Sequence, residues 1–133
     1  MKISVLNIHD AAKYIPKGNA VIIRIADSLD MPKLKGEYLD SISFFFSDLD
    51  FELSDYAIKE EDAINLKNFV DKNSPYIDEI VVHCVYAQGR SPAVGYVLSK
   101  YFNLSFDIAQ YPDINKLVIK KLEKVFFENE SKA

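Results

Sequence analysis

The stretch DEIVVHCVYAQGRSPAVGYVLSKYF, residues 78–102, decides the architecture. Its first part, DEIVVH (78–83), is a short apolar run rich in β-branched residues and reads as a buried strand. Its last part, SPAVGYVLSKYF (91–102), opens with Ser91 as a potential N-cap and Pro92 at the first helical position. Ala93, Val94, Val97, Leu98, Tyr101 and Phe102 then recur at helical spacing. Strand, tight loop and helix in succession form the unit from which α/β domains with parallel sheets are built.

Working outward, the same alternation continues. KISVLNI (2–8) has weak strand character, and HDAAKYI (9–15) reads as a short helix closed by Pro16 and Gly18. NAVIIRIA (19–26) and SISFFF (41–46) read as two further buried strands, with FFF (44–46) in the core. Loops are expected over 27–40 and 47–55. A helix is expected from Lys59 to Lys72, with acids in its first turn and Ala63, Leu66, Phe69 and Val70 on its apolar face. A last helix, 113–127, takes Asp113 as its cap, and residues 128–133 are expected to fray. Strands that are apolar on both faces point to a mainly parallel central sheet of about four to five strands, flanked by helices on both faces.

Composition agrees with one soluble domain spanning 1–133. Of 133 residues, 49% are hydrophobic, including nine Phe and eight Tyr, which is enough for a sizeable core. The net charge of −4 argues against a nucleic-acid-binding surface. The single cysteine, Cys84, allows no internal disulfide and fits a reducing compartment. Lys2, Asp10, Lys13 and Lys17 break any leader-like apolar run, and no segment approaches the ~20 apolar residues that span a membrane. The expectation is a cytoplasmic protein without a membrane partner.

The chain has two His and two Arg, and one of each lies beside Cys84. His83 precedes it and Arg90 follows six positions later, at a helix start. Free backbone N–H groups and the helix dipole make such a start an anion site. Arg90 adds a planar fork of donors suited to phosphate. The same surroundings favour the thiolate of Cys84, which is the nucleophilic form. Arg24, at the end of a predicted strand, is expected to be a salt-bridge partner, and His9 a surface or cap residue.

His83, Cys84, five residues, Arg90 and Ser91 resemble the signature of the cysteine-dependent protein tyrosine and dual-specificity phosphatases. ISFFFSDLD (42–50), VVHC…GRSPAV and YPDINKLV (111–118) are similar to a compact bacterial and phage branch of that superfamily. The resemblance runs from about Val21 to Phe126 and implies a dual-specificity-phosphatase-like fold. It implies that Cys84 attacks phosphorus, that Arg90 and the N–H groups of Val85, Tyr86, Ala87, Gln88 and Gly89 bind phosphoryl oxygens, and that Ser91 assists the departing thiolate. His83 would support the loop from below rather than act as a base. Substrates would be phosphorylated proteins or small phosphomonoesters, with neither metal nor cofactor. Phosphotyrosine, phosphoserine, a phosphoinositide and an RNA 5′-phosphate all suit such a cradle.

A general acid is also implied. If strand 41–46 is parallel to strand 78–83, its following loop lies at the same sheet edge as Cys84. That loop carries Asp48, Asp50 and Asp55. Asp48 aligns best with the family's acid, with Asp50, Asp55 and Asp27 as the other candidates.

One position departs from the pattern. The family places Gly where this chain has Ala87, and a β-carbon at positive φ costs about 1 kcal/mol or more. Ala87→Gly is expected either to relieve strain or, as the preferred outcome, to cost up to about 1 kcal/mol of stability through unfolded-state entropy. Two other readings share the loop. Rhodanese-fold phosphatases and arsenate reductases also carry His-Cys, five residues, Arg, but their entry-strand features are missing here. A non-catalytic phosphate-binding module is the other, with Ala87 as its support.

Overall fold

The structure, a computed structural model, describes residues 1–49 and 55–131. Four strands, β1 (Lys2–Asn7), β2 (Ala20–Ile25), β3 (Asp40–Phe44) and β4 (Glu79–Cys84), form one sheet in the order β1-β4-β2-β3. All pairings are parallel. The helices are α1 (Ile8–Lys13), α2 (Glu60–Asn73), α3 (Arg90–Tyr101) and α4 (Lys116–Ser131). No helix among the described residues is long and apolar enough to cross a membrane.

The pattern of the strands explains their order. Every residue of β4 is buried, as are all but Arg24 of β2, so these two occupy the centre. Alternate residues Val21, Ile23, Ile25, Ile80 and Val82 face a core completed by Leu66 and Val70 of α2, Val94 and Leu98 of α3, and Leu122 and Phe126 of α4. Burying each such side chain contributes about 1.5–3 kcal/mol. The opposite face is covered by α1, whose Ile8 and Ala11 are buried.

Several expectations need correction. SISFFF is not the buried strand expected: β3 lies at the sheet edge and ends at Phe44, with Ser41 and Ser43 facing out. A two-residue alternation carries through FFF, so Phe44 and Phe46 are buried while Phe45 is exposed. The α3 helix begins at Arg90 with Gly89 as N-cap, not at Pro92 after a Ser91 cap. Pro92 is tolerated in this first turn because N–H groups there lack intrahelical partners in any case. The α4 helix starts at Lys116 rather than Asp113, because the cap is Asn115, whose Oδ1 accepts the Val118 N–H at 3.0 Å. At its other end α4 continues to Ser131, beyond the expected 127.

Register sets the stage for the site. Cys84 lies opposite Asn7, His83 opposite Arg24, and Ile25 opposite Phe44. The carboxyl ends of all four strands therefore share one edge, where α/β sheets bind ligands.

Candidate active site

Cys84 ends β4 and is 2% exposed. The following loop folds back so that its donors converge on the sulfur. Sγ accepts from the Ala87 N–H at 3.3 Å and the Ser91 N–H at 3.4 Å, and lies 3.1 Å from Ser91 Oγ. This explains why Ser91 does not cap α3: its hydroxyl is turned to the sulfur. Two backbone N–H groups and a hydroxyl thus gather on one buried sulfur.

The loop closes through Ala87, which adopts φ = +58°. That is the left-handed region in which a β-carbon is strained. The sign of the Ala87→Gly effect is therefore the reverse of the preferred expectation. Relief of about 1–2 kcal/mol of strain exceeds the entropy that glycine adds to the unfolded chain. The variant should gain about 0.5–1 kcal/mol and melt roughly 2–4 °C higher. A lower melting temperature would show that the loop holds Ala87 without strain.

Arg90 is the first residue of α3 and 4% exposed. Its Nη1 donates to the Phe46 carbonyl at 2.9 Å and to Asp27 Oδ1 at 3.1 Å. Its Nε is buried and has no hydrogen-bond partner. A buried unpaired donor on a charged group is costly, so this nitrogen calls for an acceptor. Asp27 thus emerges as an anchor of the guanidinium.

The Asp48 carboxylate stands against Gly89: a β-carbon built there would lie 2.5 Å from Oδ2 and 2.7 Å from Oδ1. This close approach accounts for glycine at position 89, whose own φ is negative. Asp55 is exposed at the other end of the loop, and Asp50 lies outside the described residues. Of the remaining loop residues, Val85 accepts the Ile8 N–H at 3.3 Å through its carbonyl, while Tyr86 and Gln88 are exposed. A cleft of about 190 Å3 adjoins the loop, lined by Ala87, Gln88, Gln110, Tyr111, Pro112 and Asp113. A larger one, about 510 Å3, lies at the opposite sheet edge between Ile15 and Leu39 and touches none of these groups.

His83 is fully buried, and its Nε2 accepts from Arg24 Nε at 3.0 Å. Arginine only donates, so Nε2 is unprotonated and the ring hydrogen sits on Nδ1. Arg24 also donates from Nη2 to the Pro32 carbonyl at 2.6 Å. The expectation of a salt bridge is corrected: these partners are neutral. Burial, and then the Arg24 charge, push the His83 pKa down to about 4. The folded chain therefore refuses a proton that the unfolded chain binds near pH 6.5, so stability is full above that pH and falls as pH drops towards 4. The loss over this window should be about 3 kcal/mol, read as a falling melting temperature. His83→Gln should flatten the slope, and an unchanged slope would place its cause elsewhere.

Sequence reasoning missed Asn115. It is 5% exposed, and its Nδ2 donates to Asp48 Oδ1 at 2.6 Å and to the Leu49 carbonyl at 3.1 Å. Its one legible signal was cap chemistry two residues beyond Asp113.

No family model matches the chain, and no curated protein matches it. Among solved structures it is similar to the one described as "Crystal structure of Tk-PTP in the active form", with a TM-score of 0.49 and 16% identity, over 98% of this chain and 91% of that one.

Proposed function

We propose that the chain is a cysteine-dependent phosphatase that hydrolyses phosphate monoesters, aryl phosphates such as phosphotyrosine among them, through a phosphocysteine intermediate. The observation that carries this reading is the pairing of a buried, triply hydrogen-bonded sulfur with a buried arginine whose Nε has no partner. One supplies a nucleophile and the other a place for an oxyanion.

On this reading the groups divide the reaction between them. Cys84 Sγ forms a bond to phosphorus as the bond to the ester oxygen breaks. Asp48 gives its proton to that oxygen, and the alcohol or phenol leaves. Arg90 and the loop N–H groups hold the phosphoryl oxygens as charge spreads over them. Water then attacks phosphorus and gives a proton to the Asp48 carboxylate. The S–P bond breaks, and the thiolate returns to the donors of Ala87 and Ser91. Tyr86, 76% exposed on the loop, supports an aryl substrate by offering a ring face at the rim.

The test is phosphate release from p-nitrophenyl phosphate with a metal chelator present throughout. Turnover that persists in chelator and stops with vanadate is expected. A bound aryl phosphate that is never hydrolysed would replace this reading with that of a binding module.

A further inference from the structure

Two loops and a helix meet at Asn115, and the orientation of its side chain follows from its partners. The end facing the Val118 N–H must be oxygen, and the end facing Asp48 Oδ1 and the Leu49 carbonyl must be the NH2 group. The backbone N–H of Asn115 also donates to the Gly89 carbonyl at 3.1 Å. The side-chain amide is thus held at both ends, between the acid-bearing loop and the first turn of α4, while the backbone of the same residue meets the nucleophile loop.

We propose that Asn115 is the positioning residue for the general acid, selecting Oδ2 of Asp48 as the oxygen that carries the proton and holding it beside Gly89. This rests on the phosphatase reading. An NH2 group can only donate, so the carboxyl oxygen it meets must offer a lone pair. In the protonated acid the hydrogen then belongs on the other oxygen. That oxygen, Oδ2, is the nearer of the two to the β-carbon position of Gly89, next to Arg90. A carboxyl free to rotate would present either oxygen, or neither, to the leaving group. Fixing one of them turns proton transfer into a step between prearranged atoms. In the first step the Oδ2 proton passes to the ester oxygen as the P–O bond breaks and the S–P bond forms. In the second, Oδ2 takes a proton from the attacking water as the S–P bond breaks. The amide is neutral, so it can hold the carboxyl in both states.

Two variants test this while keeping an oxygen to cap α4. Asn115→Ser removes the amide donor, and Asn115→Asp sets a carboxylate against Asp48; Ser and Asp are both good N-caps. The measurements are melting temperature, kcat/KM for p-nitrophenyl and phenyl phosphate, and its pH profile. Phenolate is the poorer leaving group and depends more on the acid, and kcat/KM reports the step in which it leaves. In Asn115→Ser, kcat/KM for phenyl phosphate should fall about tenfold further than for p-nitrophenyl phosphate. In Asn115→Asp, the decline of kcat/KM at high pH should move upward, because one carboxylate opposes ionisation of the other. Equal slowing of both substrates with an unmoved profile would overturn the proposal and leave Asn115 a structural cap. Absence of turnover in the wild-type chain would be a different failure, that of the phosphatase reading itself.

Discussion

Cys84→Ser is expected to abolish measurable phosphate release, a loss of about 10⁴-fold or more, while the protein remains folded. Serine replaces sulfur with oxygen in a nearly identical shape, and the donors from Ala87 and Ser91 keep an acceptor. What disappears is the sulfur nucleophile, because a hydroxyl is far less acidic than a thiol and needs an adjacent base to be activated. His83 is fully buried and its Nε2 is committed to Arg24, so it is no such base. The check pairs aryl-phosphate kinetics with a melting curve. A cooperative transition near that of the wild type, with no turnover, assigns the loss to chemistry. Substantial activity in the folded variant would mean that Cys84 is a buried structural thiol.

Arg90→Lys should cost about 3 kcal/mol of transition-state stabilisation, a fall of roughly 150-fold in kcat/KM, although the charge is kept. The guanidinium divides its work. Nη1 is committed to the Phe46 carbonyl and Asp27, and Nε is buried without a partner. A lysine ammonium has one nitrogen on a flexible stem. It can reach the Phe46–Asp27 anchor or a phosphoryl oxygen, but it cannot span both. Vanadate inhibition should weaken in parallel, since a trigonal-bipyramidal oxyanion draws on the same donors. Near-wild-type kinetics would make Arg90 a structural tie between α3 and the end of β3.

Much of this arrangement is legible in the sequence because it is local. The strand, loop and helix around Cys84 lie in one continuous stretch, so their spacing brings Cys84, Arg90 and Ser91 together without knowledge of the rest of the fold. The need for positive φ at position 87 was readable from the glycine that the motif prefers there. What escaped depends on which distant segments become neighbours. Arg24 and His83 are 59 positions apart and meet only because β4 inserts beside β2 in register. Nothing in the composition of either strand announces that insertion. Asn115 is 67 positions from Asp48, and Asp113 offered equally good cap chemistry. The choice between them was made by the loop they pack against, not by helix propensity. Ser91 went astray for a similar reason: a serine before a proline reads as a cap until a sulfur is found within reach of its hydroxyl.

The position of Asn115 also has a consequence in time. In a chain made from its N-terminus, the residues of α4 leave the ribosome after those of β1 to β4 and of the loop around Cys84. Until they do, the Asn115 side chain is not there to hold Asp48, nor its backbone N–H to meet the Gly89 carbonyl. On the phosphatase reading, both proton transfers by Asp48, to the ester oxygen and from water, would therefore wait on the docking of α4.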